Sequence, residues 1–117
     1  MNEMWINIDI ATNYAVSNLG RIKNTKTGQT LNPGIGGNGY RQVSLKMKDT
    51  NTFRKQYVHR LVALYWLPNP DNKREVNHKN LDRTDNRVEN LEWVTSSENQ
   101  KHKYEKQNFK TSNRKVI

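Results

Sequence analysis

The stretch Glu75-Val76-Asn77-His78 is followed by a polar run from Lys79 to Glu89, then by Asn90-Leu91-Glu92-Trp93-Val94 and Thr95-Ser96-Ser97-Glu98-Asn99. The first segment reads as a short strand, and Leu91 to Val94 alternates as a second one. The run between them is rich in Asp and Asn, whose short side chains bond the nearby backbone and favour turns. Thr95 with Glu98 three residues later is a capping box, so a helix is expected from about Ser96 to Gln107. Strand, long loop, strand, helix is the order that decides the fold of this half.

Polar residues with chemical capacity sit at fixed points of that order. His78 closes the first strand, Asn90 follows twelve positions later, and Asn99 lies nine beyond that, in the first turns of the helix. His102, three residues after Asn99, shares its helix face. Taken singly, Asn90 and Asn99 suit loop and helix capping, and His78 suits an ordinary loop histidine.

Upstream, Leu61, Val62, Leu64, Tyr65 and Trp66 are too densely apolar for a half-exposed strand. They predict a buried helix of about two turns over His59 to Leu67, stopped by Pro68-Asn69-Pro70. His59, at its start, suits packing or capping, and Trp66 and Trp93 suit the core. Further back, Met4 to Ile8 predicts a short strand. Tyr14 to Ser17 and Arg21-Ile22-Lys23 predict two more, joined by a tight turn in which Asn18 and Gly20 supply positive φ angles. Gly34 to Gly39 is expected to be a loop. Tyr40 to Lys46 and Phe53 to Val58 predict a hairpin across an Asp49-Thr50-Asn51 turn. That hairpin carries Arg41, Lys46, Lys48, Arg54 and Lys55, a basic ribbon suited to phosphates or a groove.

The 117 residues suffice for one modest domain with a small appended module. The hydrophobic fraction is 32%, below the roughly 45–50% usual for globular chains, so the core must be thin and lean on large aromatics. Lys and Arg number 20 against 11 Asp and Glu, a net charge of +9, which points to a polyanionic partner. The absence of cysteine excludes disulfides and thiolate zinc sites. No apolar run approaches the ~18 residues of a membrane span, and Met1-Asn2-Glu3-Met4-Trp5 lacks the plan of a secretory signal. A cytoplasmic protein, complete at its N-terminus and without a membrane partner, is the expectation.

Val76-Asn77-His78, the run Asn86-Arg87-Val88-Glu89-Asn90-Leu91-Glu92-Trp93-Val94-Thr95, and Glu98-Asn99 with His102 closely resemble the HNH nuclease motif. The branch is that of phage and intron-encoded homing endonucleases. His59-Arg60-Leu61-Val62-Ala63 is similar to the helix that precedes the motif there. Trp5 with Tyr14-Ala15-Val16-Ser17-Asn18-Leu19-Gly20-Arg21-Ile22 resembles the modular DNA-contacting segment often fused to these nucleases. The resemblance implies His78 as the general base, and Asn90 as the residue that ties the loop and holds the histidine in place. It implies a divalent ion, Mg²⁺ or Mn²⁺, on Asn77 and Asn99, with His102 as a third candidate ligand. Arg87 or a nearby Lys is the candidate to steady the scissile phosphate, while Arg21, Lys23, Arg41, Lys46, Arg54, Lys55, Lys101 and Lys103 are candidates to contact DNA.

The chain departs from the best-known metal-binding members at two points. An aspartate precedes the motif histidine in them, where Asn77 stands here, and the Asp-Gly pair expected after it is Asn80-Leu81. Asn77 offers a neutral carbonyl oxygen, so metal affinity should fall unless phosphate supplies the negative ligand. Asp82 or Asp85 is available as a replacement carboxylate.

The expected fold is α+β, with a β-rich DNA-contacting module over 1–57, a ββα-metal nuclease unit over 58–107 and a basic flexible tail over 108–117. The expected function is metal-dependent hydrolysis of double-stranded DNA to 5′-phosphate and 3′-hydroxyl ends. A monomer would nick one strand and a homodimer could cut both. If phage-encoded, the enzyme would act in the host cytoplasm. The alternative is a catalytically degenerate HNH-fold protein that binds DNA without cutting it, favoured by Asn77 in the place of an acid.

Overall fold

The computed structural model describes residues 2–100. The expected helix beyond that point, the 108–117 tail, Lys101, His102 and Lys103 lie outside the described residues. The N-terminal strands β1 (Trp5–Asn7), β2 (Tyr14–Ser17) and β3 (Ile22–Asn24) form an antiparallel meander, with Ile6 opposite Val16 and Val16 opposite Ile22. A second antiparallel sheet holds β4 (Gly34–Ile35), β5 (Arg41–Lys46) and β6 (Phe53–Tyr57). Helix α1 (Val58–Trp66) follows β6 without a break. The ribbon of β7 (Glu75–His78) and β8 (Leu91–Val94) pairs His78 with Leu91 and Asn77 with Glu92. Helix α2 starts at Ser96 and is described over 96–100.

These elements meet on one core. Val16, Ile22, Leu45, Val58 and Val62 are wholly buried, and Leu91 is nearly so, which places strands from all three sheets on the apolar face of α1. The ribbon that carries His78 therefore rests on the same core as the N-terminal strands. Trp66 and Trp93 pack half-buried against it, and their indole N–H groups donate to the carbonyls of Val16 and Leu67, both at 3.2 Å. Each aromatic thus buries its apolar body without orphaning its polar edge. His59 packs rather than caps, because α1 has no side-chain cap.

Two expectations are corrected. The stretch from Gly34 to Gly39 is not all loop, because Gly34–Ile35 pairs with Gln42 and Arg41 as β4. An edge strand this short needs only backbone hydrogen bonds, which glycine supplies while carrying no apolar pattern to betray it. In the β2–β3 turn only Gly20 takes a positive φ, +86°. Asn18 ties the turn to the N-terminus instead, accepting from the Met4 N–H and donating to the Asn2 carbonyl.

Candidate active site

His78 ends β7 with 4% of its surface exposed. Its Nε2 lies 2.7 Å from Oδ1 of Asn86, across the loop that joins the two strands of the ribbon. Because that amide oxygen can only accept, the ring carries its proton on Nε2 and keeps its lone pair on Nδ1. The other side of the ring faces an aromatic wall. His59 lies 5.0 Å away, centroid to centroid, and Tyr40 lies 5.8 Å away while itself stacking on His59 at 4.7 Å. Burial pushes the His78 imidazole below its ordinary value, against the opposing pull of Asn86 and of the Asp82 and Asp85 carboxylates. His59, buried beside His78 and Arg60, is pushed down to about 3. Both rings are therefore neutral near pH 7.

Asn77, His78 and Asn99 line one cleft of about 140 Å³, which Tyr40 and Arg83 also border. The two amides are held in the same way. Asn77 Nδ2 donates to Glu92 Oε2 at 2.8 Å, and Asn99 Nδ2 donates to Glu75 Oε1 at 2.8 Å. With the nitrogen ends tied to carboxylates, the oxygen ends are oriented and made more electron-rich. Oδ1 of Asn99 is buried and has no hydrogen-bond partner among the described residues. An orphaned carbonyl oxygen beside a second amide is a donor set that suits a hard divalent cation. No cluster of three or more His, Asp, Glu or Cys occurs among the described residues. Glu75 and Glu92 place negative charge behind the two amides, in addition to the Asp82 and Asp85 carboxylates that act on His78.

Asn90 organises the loop. Its Nδ2 donates to Asn80 Oδ1 at 3.0 Å and to the Asp85 carbonyl at 2.8 Å, and its Oδ1 accepts from the Asn80 N–H at 3.1 Å. Its own carbonyl accepts from the Lys79 N–H. Asp82 and Asp85 are occupied in bracing this loop. Asp82 accepts from the N–H and hydroxyl of Thr84, while Asp85 pairs with Arg87, which holds its carboxyl at about 2. Leu81 closes the tight turn after His78, donating its N–H to the His78 carbonyl at φ +65°. A glycine would adopt that angle without strain, which is the physical reason for the Asp-Gly pair expected there. Asn90→Ala is expected to cost about 2–3 kcal/mol in urea unfolding, because three loop polar groups lose their partner together.

The cations are less concentrated than their number suggests. Arg21 forms a two-pronged pair with Glu3, and Lys23 lies over the Trp5 ring at 4.3 Å. Arg87 is shared between Asp85 and Glu89. In the β5–β6 hairpin the register places Lys46 and Lys55 on one face and Arg41 and Arg54 on the other, with Arg54 and Lys55 exposed.

Residues 56–101 match the family model described as HNH endonuclease, and residues 3–46 match the NUMOD4 motif. This chain carries an HNH endonuclease domain behind a NUMOD4 motif. An uncharacterized HNH endonuclease of Acanthamoeba polyphaga mimivirus is 45% identical over 99% of this chain and 30% of its own length. The DNA endonuclease I-HmuI of Bacillus phage SP01 is 37% identical over 74% of this chain and 48% of its own. This chain thus spans less than half the length of these relatives. The solved structure of the HNH homing endonuclease I-HmuI, a study of DNA binding and cleavage, superposes with a TM-score of 0.77. It is 30% identical and covers 88% of this chain and 59% of that one.

Of the HNH residues singled out from sequence, the fold brings Asn77, His78 and Asn99 to one cleft and places Asn90 in the loop behind it. Asn86, Tyr40, Glu75 and Glu92 carry no sequence signal of a role in the site. The pairing of Asn77 with Glu92 follows from the ribbon register, so it was within reach of a strand alignment. Tyr40 lies before a strand of another sheet, and nothing local ties it to His78.

Proposed function

We propose that this chain is a metal-dependent HNH endonuclease that hydrolyses one phosphodiester of double-stranded DNA per visit, with His78 as the general base. The observation that carries this reading is that a buried His78 shares a single cleft with Asn77 and Asn99, whose amide nitrogens are tied away to carboxylates. A base must keep a free, unprotonated lone pair at working pH, and Nδ1 does so while Nε2–H is committed to Asn86. In the proposed step Nδ1 takes a proton from water as the water oxygen bonds to phosphorus. The bond to the 3′ oxygen breaks and that oxygen takes a proton from solvent water, leaving 5′-phosphate and 3′-hydroxyl ends. Asn77 and Asn99 would hold a divalent ion, Mg²⁺ or Mn²⁺. Bound there, such an ion supplies positive charge to the phosphate and to the leaving oxygen.

The matches over residues 3–46 and 56–101 support a division of labour with residues 1–57 as the DNA-contacting module, 58–107 as the nuclease unit and 108–117 as a basic tail. Arg54 and Lys55, exposed on β6 and in no ion pair among the described residues, are candidate phosphate contacts. One site per chain nicks a single strand. Supercoiled plasmid incubated with the full chain and Mg²⁺ or Mn²⁺ is expected to become open circles first, and EDTA is expected to stop the conversion. The neutral Asn77 favours a second reading, a DNA-binding protein that does not cut. Salt-sensitive binding with no nicking under either metal would select it.

A further inference from the structure

Gly20, in the NUMOD4 segment, approaches Asn86 so closely that no side chain fits between them. A Cβ on Gly20 would lie 2.7 Å from the Asn86 carbonyl oxygen, 2.8 Å from its carbonyl carbon and 2.9 Å from its Cβ. Two residues on, the Val88 N–H donates to the Asn18 carbonyl at 2.9 Å. The β2–β3 turn therefore presses on the segment that carries Asn86, the partner of His78 Nε2.

The turn is stiff enough to act as a stop. Ser17, fully buried, accepts the N–H groups of Leu19 and Arg21 on its hydroxyl at 3.2 and 3.0 Å, and its carbonyl accepts the Gly20 N–H. Asn18 is anchored from outside by the Met4 N–H. We propose that the NUMOD4 turn is part of the nuclease centre. Asn86 is a positioning residue that selects the Nε2–H tautomer of His78, and Gly20 and Asn18 hold Asn86 where it does so. This rests on the reading of His78 as the base. It makes the N-terminal segment a contributor to the rate of bond cleavage, separately from any hold on DNA.

The test compares Gly20→Ala, Asn86→Ala, Asn86→Asp and Gly28→Ala in the full chain. Gly28 is an internal control. Its φ is +78°, close to that of Gly20, but nothing lies within 4 Å of a Cβ placed on it. Gly28→Ala therefore carries the same backbone strain without the collision. Imidazole ¹⁵N spectra of the metal-free, DNA-free protein report the His78 tautomer, and plasmid nicking with Mg²⁺ reports kcat and KM. In the parent, in Gly28→Ala and in Asn86→Asp, His78 is expected as the Nε2–H form, since a carboxylate oxygen also accepts.

In Gly20→Ala and Asn86→Ala a mixture of tautomers is expected, with kcat lower by about 10- to 100-fold and KM for DNA little changed. Asn86→Ala only truncates a side chain, so it decides the matter if Gly20→Ala fails to fold. Parent-like His78 spectra in Asn86→Ala, or a loss that falls on KM alone, would overturn the proposal. Should the parent not cut DNA, the nuclease reading fails by itself, and the spectra still decide the positioning of His78.

Discussion

His78→Ala is expected to lower single-turnover cleavage by about 10²- to 10⁴-fold while leaving duplex DNA binding unchanged. The size follows from the proposed role, in which the imidazole would remove a proton only as water attacks and make no ground-state contact that affinity would register. The parent should show a related pH signature. Burial places the folded His78 below its ordinary value of 6.5, so the base stays unprotonated into mildly acidic solution. The acid limb of kcat/KM should therefore lie below pH 6.5, and His78→Ala should erase it. Cleavage by the alanine variant at the parent's rate would remove His78 from the chemistry.

His59 carries the second large effect, on stability. Its imidazole sits at about 3 in the folded protein against an ordinary 6.5, chiefly through burial and then through the charges of His78 and Arg60. The fold thus favours the neutral ring, and the unfolded chain binds the proton first. Stability on this account is complete above pH 6.5 and is lost as pH falls from there towards 3. Between pH 7 and pH 4 the loss from this one group is on the order of 3 kcal/mol. His78 is shifted in the same direction and adds to it. His59→Phe keeps a ring to stack on Tyr40 and removes the orphaned Nδ1, so urea unfolding should show a flatter acid slope. An unchanged slope would mean that other groups govern acid unfolding.

Much of the centre was legible because its signals are local. The capping box appears as drawn, with Thr95 N–H donating to Glu98 Oε1 and Glu98 N–H to Thr95 Oγ1, at 2.8 and 3.1 Å. The dense apolar run gave α1 to within a residue, and the Asp49-Thr50-Asn51 turn is confirmed by φ +57° at Asn51. What escaped depends on tertiary placement. Tyr40 reaches His78 only because β5 and α1 share a core, and Gly20 touches Asn86 only after the N-terminal meander has docked on the ribbon. Charge was the least faithful guide. The net +9 is real, yet Arg21 and Arg87 are engaged by Glu3, Asp85 and Glu89. Those pairings across turns are invisible to a count of residues.

The most direct measurement is a crystal structure of the full chain on duplex DNA with Mn²⁺. Expected is one ion touching the oxygens of Asn77, Asn99 and the scissile phosphate, with His78 Nδ1 facing that phosphate and Nε2 still on Asn86. An ion bound elsewhere, or a phosphate that never enters the cleft beside His78, would contradict the assignment of this cleft as the nuclease centre.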